Sequence, residues 1–381
     1  MWLKIQAEQR QYLKVTWGNR NGPHPVTYTI GVVTAERVGG EVRDCLKRLM
    51  EWSCTRERNQ LPSTLHRLAE AGQRLRYVLF DPVDGVQRPN VEILEQWISA
   101  QYQGGDRQIT ISTDAGCHIP WALVFDGDSQ AVSEDASSLK EYTEFWAIKY
   151  SPSVVFTGLL PDVLGRPRGR ESLRLLWALN RLEFDCAQQD LDPIEKQVLA
   201  DLLQLPVGPA YNVEGCEQLI DQARQKDTVL HFFGHCQNTA LDLGDDERID
   251  VLRFKMMLNK LTDRKFGRPA SGYSLVFLNA CETAIGDLDY GFLTATAQPG
   301  LCGFVGTEVQ IPRDFAIRFG LDFLQSLVLK GLSLRETMDH LRDKHWPLGL
   351  LYGNYAYPDY KIEPVQADEL YSSENGPAAI K

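Results

Sequence analysis

Two side chains that could carry nucleophilic chemistry lie at the ends of short apolar segments. Cys281 follows the run Ser-Leu-Val-Phe-Leu-Asn-Ala at 274–280, and His235 ends the run Val-Leu-His-Phe-Phe-Gly-His at 229–235. Each run predicts a buried strand, and the carboxyl ends of parallel strands meet at one sheet edge, where active sites form. Because an imidazole can accept the proton of a thiol, the pair predicts a cysteine nucleophile, Cys281, with His235 as general base and acid.

The elements that must position this pair are predicted from periodicity and turn residues. β-Structure is predicted over 1–35 and at 109–112, 145–150, 173–178 and 303–306, and helices within 41–100 and at 216–225, 249–261, 292–298 and 315–330. Capping boxes at Asp192-Pro-Ile-Glu195 and Ser333-Leu-Arg-Glu336 predict two further helix starts. The segment 236–272 is long and polar, and one helix, 249–261, is predicted inside it. The alternation after residue 171 favours an α/β sheet.

The chain of 381 residues is longer than one hydrophobic core usually organises. The stretch 151–171 is rich in Pro, Gly and Arg and is predicted to be a linker. It separates an N-terminal subdomain, 1–150, from a catalytic subdomain, 172–362. The remaining residues, 363–381, are predicted to form a frayed C-terminal tail.

Composition excludes several classes of protein. The net charge of -11 argues against direct nucleic-acid binding, which needs a basic face. No apolar stretch approaches the roughly 20 residues that cross a bilayer, and the N-terminus has no signal-peptide pattern, so we expect no membrane association and a cytoplasmic location. The eight cysteines include no Cys-x-x-Cys pair, which argues against a zinc ribbon, and a reducing compartment would keep them as thiols.

The two candidate segments together resemble the CHAT domain, a caspase-like peptidase family that is also similar to separase. Asn279-Ala280-Cys281, with a histidine 46 residues upstream, resembles the caspase order and spacing. Three other segments are similar to parts of the family: Ile119-Pro-Trp-Ala-Leu-Val, Gly303-Phe-Val-Gly-Thr-Glu-Val and Pro347-Leu-Gly-Leu-Leu-Tyr-Gly-Asn-Tyr. The resemblance implies a caspase-like three-layer α/β/α sandwich, with the N-terminal half as a degenerate companion subdomain.

The resemblance also implies roles for particular residues. The backbone N–H groups of Cys281 and Cys236 would form the oxyanion hole, and Cys236 stands where the family usually has glycine. Asn279, Thr307 and Glu308 would line the substrate site. A neutral Asn279 favours a polar or apolar substrate side chain, whereas Glu308 favours Lys or Arg, and the sequence leaves both open. Glu308 could instead pair with Arg313.

The function that the resemblance implies is a cytosolic cysteine endopeptidase that acts on a specific protein or peptide substrate without a metal or organic cofactor. Its relatives imply activation by a separate protein chain in bacterial immunity or cell death, for example by gasdermin cleavage. The moving element would be 236–272 or 283–292. Two alternatives stay open: a catalytically silent caspase-like scaffold or binding protein, and a zinc hydrolase that uses His231 and His235.

Overall fold

A computed structural model describes residues 1–8, 11–18, 25–55, 60–103, 107–113, 119–133, 135–156, 174–205, 209–223, 228–237, 239–261, 274–284, 291–296 and 301–362. These residues form two compact units, which are described separately. The first contains 1–156 and 342–354, and the second contains 174–341 and 355–362. Among the helices described, none combines the length and apolar character that a bilayer-spanning helix requires.

The first unit contains a mixed five-stranded sheet in the order β3-β2-β1-β4-β5. Its strands are β1 (Trp2–Glu8), β2 (Tyr12–Gly18), β3 (Val26–Gly31), β4 (Thr110–Thr113) and β5 (Ser153–Phe156). β1, β2 and β3 are antiparallel neighbours, whereas β4 runs parallel to β1 and β5. Burial alternates along β2 and β3, as expected for strands with one face against a core.

The α-helices described in the first unit are α1 (Val32–Thr55), α2 (Leu61–Leu79), α3 (Arg88–Gln103) and the single turn α4 (Trp146–Lys149). The apolar side of α2 is buried, which confirms the amphipathic pattern of the sequence. The residues that recur there at helical spacing are Leu65, Leu68, Ala69, Gly72 and Leu75. The strand predicted at 145–150 is wrong, because this segment forms α4. A helical turn brings the Trp146 indole and the Tyr150 hydroxyl together on the Asp126 carboxylate, each at 2.9 Å.

The second unit is built on a six-stranded sheet in the order β14-β13-β12-β8-β6-β7. Its strands are β6 (Arg174–Leu179), β7 (Pro209–Ala210), β8 (Thr228–Phe233), β12 (Ser274–Asn279), β13 (Leu301–Thr307) and β14 (Tyr352–Ala356), of which Tyr355 and Ala356 belong to this unit. Four neighbouring pairs in this sheet are parallel: β7 with β6, β6 with β8, β8 with β12, and β12 with β13. Every residue of β8, β12 and β13 is buried, which shows that both sheet faces are covered.

The helices that follow 174 confirm most of the predicted positions. They are α5 (Arg181–Gln189), α6 (Pro193–Leu203), α7 (Val213–Ala223), α8 (Val251–Leu261), α9 (Phe292–Thr296), α10 (Arg313–Leu324), which continues as a π-helical turn (Gln325–Leu329), and α11 (Leu334–Lys344). Both predicted capping boxes are present, at the starts of α6 and α11.

One face of the parallel sheet is covered by α5 and α10. Trp177, His231 and Phe277 are cross-strand neighbours, so their side chains point to the same face. The ring of Phe184 on α5 lies 6.3 Å from Trp177, and the ring of Phe323 on α10 lies 4.4 Å from Phe277.

The opposite face is covered by α8 and α9. Phe232 follows His231 along β8 and therefore points away from it. Its ring lies 5.7 Å from Phe254 on α8, and Phe254 lies 5.3 Å from Phe292 on α9. Helices on both faces make the second unit a three-layer α/β/α sandwich, which confirms the predicted fold class.

A small antiparallel sheet, which the sequence did not predict, interrupts the α/β pattern. Its strands are β9 (His235–Gln237), β10 (Ala240–Gly244) and β11 (Glu247–Asp250), in the order β11-β10-β9. The segment 236–272 therefore contains strands before α8, although 238 and 262–272 lie outside the described residues. The linker prediction covers β5, and its remainder, 157–171, also lies outside, as does the tail 363–381. The assignment of the N-terminal half as a degenerate companion stays a prediction.

Candidate functional site

The candidate nucleophile lies in a turn directly after β12, at the carboxyl edge of the parallel sheet. Two threonines link this turn to the end of β13: the Thr307 N–H donates to Thr283 Oγ1 at 3.0 Å, and the Thr283 N–H donates to Thr307 Oγ1 at 3.4 Å. Glu282, next to Cys281, has a φ of 54°, and its N–H donates to the Val309 carbonyl at 3.2 Å. Hydrogen bonds to the end of β13 and to the residues just after it therefore fix the backbone that follows Cys281.

The Cys281 thiol is partly buried and donates to the Ile311 carbonyl, with 4.0 Å between sulfur and oxygen. Burial raises the pKa of this thiol, because a thiolate loses hydration there, and the carboxylates of Glu282 and Glu183 act in the same direction. A raised pKa lowers the fraction of thiolate at neutral pH. In this geometry the thiol is therefore held mainly in its protonated form.

The candidate base lies just beyond the neighbouring strand. β8 ends at Phe233, Gly234 makes a bend, and His235 begins β9. The imidazole is 56% exposed, and its Nε2 lies 3.2 Å from Glu183 Oε1. The second carboxylate oxygen of Glu183 lies 3.4 Å from Arg313 Nη1. His235 thus lies beside a carboxylate that also pairs with a guanidinium, at the sheet edge.

Cys281 and His235 line the same small cavity, which has a volume of about 40 Å³. Glu183 and Arg313 form its charged wall, and Ile311 contributes to the apolar part. The structure therefore brings the two residues that the sequence singled out to one concave site. A cavity that presents a thiol, an imidazole and a carboxylate offers a nucleophile, a proton acceptor and a group that can orient the acceptor.

Glu183 is a member of this cavity that the sequence analysis missed. It lies in the first turn of α5, whose N-cap is Asn180, and the Glu183 N–H donates to Asn180 Oδ1 at 3.2 Å. The sequence does contain a signal, because Asn180-Arg-Leu-Glu183 directly follows the strand β6 and matches a helix-start pattern. A carboxylate at that place must lie at the same sheet edge as His235 and Cys281.

Cys236 lies in the strand β9, opposite Leu241 of β10. The residue is in an extended strand, so a side chain in place of the family's glycine is accommodated without the strain of a left-handed backbone. Burial, together with the nearby Cys281 and Glu282, raises the pKa of the Cys236 thiol to about 12. Cys236 therefore stands beside Cys281 as a second, strongly protonated thiol.

The three predicted substrate-contacting residues are all buried. Asn279 contributes to the cavity wall, and its side-chain amide donates to the Ala316 carbonyl at 2.8 Å. Thr307 takes part in the threonine pair that holds the nucleophile turn. Glu308 is 2% exposed and accepts a hydrogen bond from the Tyr355 hydroxyl. It is not among the described residues that line the cavity, and Arg313 pairs with Glu183.

His231 lies inside the core and not at the sheet edge. Its ring stacks on Phe277 at 4.9 Å and meets Trp177 edge-on at 5.0 Å. Neither ring nitrogen has a hydrogen-bond partner among the described residues, and burial lowers the pKa of His231 to about 3. The described residues contain no group of three His, Cys, Asp or Glu side chains that could hold a metal ion.

Burial of a neutral His231 predicts acid-sensitive stability. Below about pH 6.5 the unfolded chain gains a proton at this residue, whereas the folded chain gains it only near pH 3. The stabilisation is thus complete above pH 6.5 and declines as the pH falls towards 3. Between pH 7 and pH 5 the free energy of unfolding should fall by about 2 kcal/mol more in the wild type than in His231→Leu. Urea unfolding at both pH values measures this, and equal losses would contradict it.

The family model of the CHAT domain matches residues 69–347, which is more than half of the chain. No curated protein matches. The solved structure of the Saccharomyces cerevisiae separase–securin complex is similar, with a TM-score of 0.47 and 10% sequence identity. That match covers 96% of this chain and 30% of the other, so this chain spans less than a third of the length of that protein.

Proposed function

Because the chain belongs to the CHAT-domain family, which is a caspase-like peptidase family, we propose that it is a cysteine endopeptidase that cleaves one or a few protein targets. The observation that carries this proposal is the cavity shared by Cys281 and His235 at the carboxyl edge of the parallel sheet. The two residues are 46 positions apart in the sequence, and the parallel neighbours β8 and β12 deliver them to one place.

The proposed reaction is acyl transfer. His235 accepts the Cys281 proton, and the thiolate attacks the scissile carbonyl of the substrate. The backbone N–H groups of Cys281 and Cys236 stabilise the oxyanion, and any residue except proline can supply such a donor. The protonated His235 then donates its proton to the leaving amine. Water, activated by His235, releases the acyl group from the Cys281 sulfur.

A resting state is part of the proposal. The Cys281 thiol has a raised pKa and donates to the Ile311 carbonyl. Both observations support a site that a conformational change must complete, since attack requires the thiolate. We infer that a separate protein chain causes this change and that the protein acts in the cytoplasm. Similarity to the family suggests a role in bacterial immunity or cell death. The substrate would then be a protein such as gasdermin. Residues 285–290 of the second candidate for the moving element, 283–292, lie outside the described residues.

An activity probe tests the proposal directly. Peptidyl acyloxymethyl ketones, with Lys, Leu, Asn or Asp next to the reactive group, are added to cells that express the full chain. We expect one probe to alkylate Cys281, with labelling reduced at least about tenfold in His235→Ala, because His235 generates the thiolate. Mass spectrometry of the Cys281 peptide measures the labelling, and the exposed Cys54 reports nonspecific alkylation.

The same experiment separates the second candidate function. A catalytically silent scaffold is favoured by the raised pKa of the Cys281 thiol. It predicts that Cys281 reacts no faster than Cys54 and that His235→Ala has no effect on its labelling.

A further inference from the structure

The carboxylate of Glu183 faces the candidate base directly. Its Oε1 lies 3.2 Å from His235 Nε2, and the Glu183 side chain is 22% exposed, within the cavity wall. An ionised carboxylate can only accept hydrogen bonds, so at this distance it favours a proton on the facing nitrogen. The Nδ1 atom of the neutral ring then has the free lone pair. Glu183 therefore favours the tautomer whose Nδ1 is free to accept a proton.

A single buried asparagine holds both partners in place. Asn180, 5% exposed, caps α5 by accepting from the Glu183 N–H at 3.2 Å. Its own N–H donates to the Phe233 carbonyl at the end of β8, at 2.8 Å. Its side-chain amide donates to the Asp242 carbonyl at 3.4 Å, and Asp242 is the cross-strand neighbour of His235. Asn180 thus contacts α5, which carries Glu183, and also β8 and β10, which adjoin His235. These contacts set the distance between Glu183 and His235.

The second oxygen of Glu183 is also engaged. Arg313, the first residue of α10, places Nη1 3.4 Å from Glu183 Oε2. An arginine on one oxygen and an imidazole on the other restrict rotation of the carboxylate. This is the arrangement of an orienting group that acts through the base, the role that a third residue has in Cys-His and Ser-His catalysis.

We propose that Glu183 is a positioning residue for His235, which fixes its tautomer and stabilises the imidazolium that forms during the reaction. The inference rests on the proposed function. Among the described residues, no hydrogen bond joins Glu183 to the reacting thiol. It acts by holding the proton on Nε2, and Asn180 and Arg313 hold Glu183.

Steady-state kinetics of the full chain, on a fluorogenic peptide that carries the sequence of the best probe, test this role. Glu183→Ala should lower kcat about 10- to 100-fold and change KM less than about twofold. Glu183→Asp, which keeps the charge, should recover part of the loss. The matched control is Glu217→Ala, which removes a 30% exposed carboxylate with two cationic partners, Arg253 and Lys260, remote from the cavity. Equal or faster turnover in Glu183→Ala would overturn the proposal, because Glu183 would then not assist the reaction and could only stabilise the resting state.

Nitrogen-15 NMR of histidine-labelled protein separates this inference from the proposed function, because it needs no turnover. The His235 ring signals, assigned with His235→Gln, should show a proton on Nε2 in the wild type and a mixture of tautomers in Glu183→Ala. A tautomer that depends on Glu183 in a chain that cleaves no peptide would support the positioning role and reject the peptidase. Peptide cleavage by a chain whose His235 tautomer is unchanged in Glu183→Ala would support the peptidase and reject the positioning role.

Discussion

Cys281→Ala is expected to lower peptide cleavage by at least about 10³-fold, because no other group in the mechanism can form the acyl intermediate. The substitution should leave the fold intact. The hydrogen bond recorded for the thiol within the described residues is a long one, to the Ile311 carbonyl, and the backbone of its turn is held by Thr283 and Thr307. Mass spectrometry of new N-termini in cells that express wild type or variant measures cleavage, and urea unfolding checks the fold.

Cys236→Ala is the matched control for this prediction. Cys236 is the neighbouring thiol, and the mechanism uses only its backbone N–H, which alanine retains. We therefore expect activity within about threefold of the wild type. If Cys236→Ala abolished cleavage and Cys281→Ala did not, Cys236 would be the nucleophile and the proposed site would be wrong. Loss in both variants would indicate that the pair acts as a unit.

The sequence predicts the centre of the site because local features determine it. A short, mostly apolar run rich in β-branched and aromatic residues favours a strand inside a covered sheet, and β8 and β12 each have this pattern. Parallel pairing of the two strands then brings the residues just beyond their carboxyl ends to one edge of the sheet. The capping boxes at Asp192 and Ser333 are equally local, since their residues bond within one helical turn.

The rest of the site depends on contacts between distant residues, which local patterns do not encode. Glu183 and His235 are 52 positions apart, and nothing in the sequence of α5 indicates which side chain its first turn faces. Glu308 pairs with Tyr355 instead of standing open to substrate, because the end of β13 lies beside Tyr355. The helical turn at Trp146–Lys149 is likewise determined by Asp126, which gathers side chains from both ends of that turn.

Gly303→Ala should destabilise the second unit by roughly 3 kcal/mol, through backbone strain and overpacking together. Gly303 lies in the inner strand β13 with a φ of +127°, which L-residues rarely adopt. A Cβ there would lie 2.4 Å from both the Ala356 Cα and the Tyr355 carbonyl oxygen, which are backbone atoms and cannot turn away. β13 also carries Thr307, so a displaced strand should loosen the Cys281 turn and lower peptide cleavage.

Gly40→Ala is the matched control, because its Cβ would meet nothing within 4 Å and it lies inside the helix α1. Alanine at that place should stabilise the first unit by about 0.5–1 kcal/mol. Hydrogen exchange followed by mass spectrometry assigns each change to its unit, since amides of β13 should exchange faster in Gly303→Ala and those of α1 slower in Gly40→Ala. Wild-type protection of β13 in Gly303→Ala would mean that β14 can shift to admit a side chain. The close approach of these two strands would then not be what holds the nucleophile turn in place.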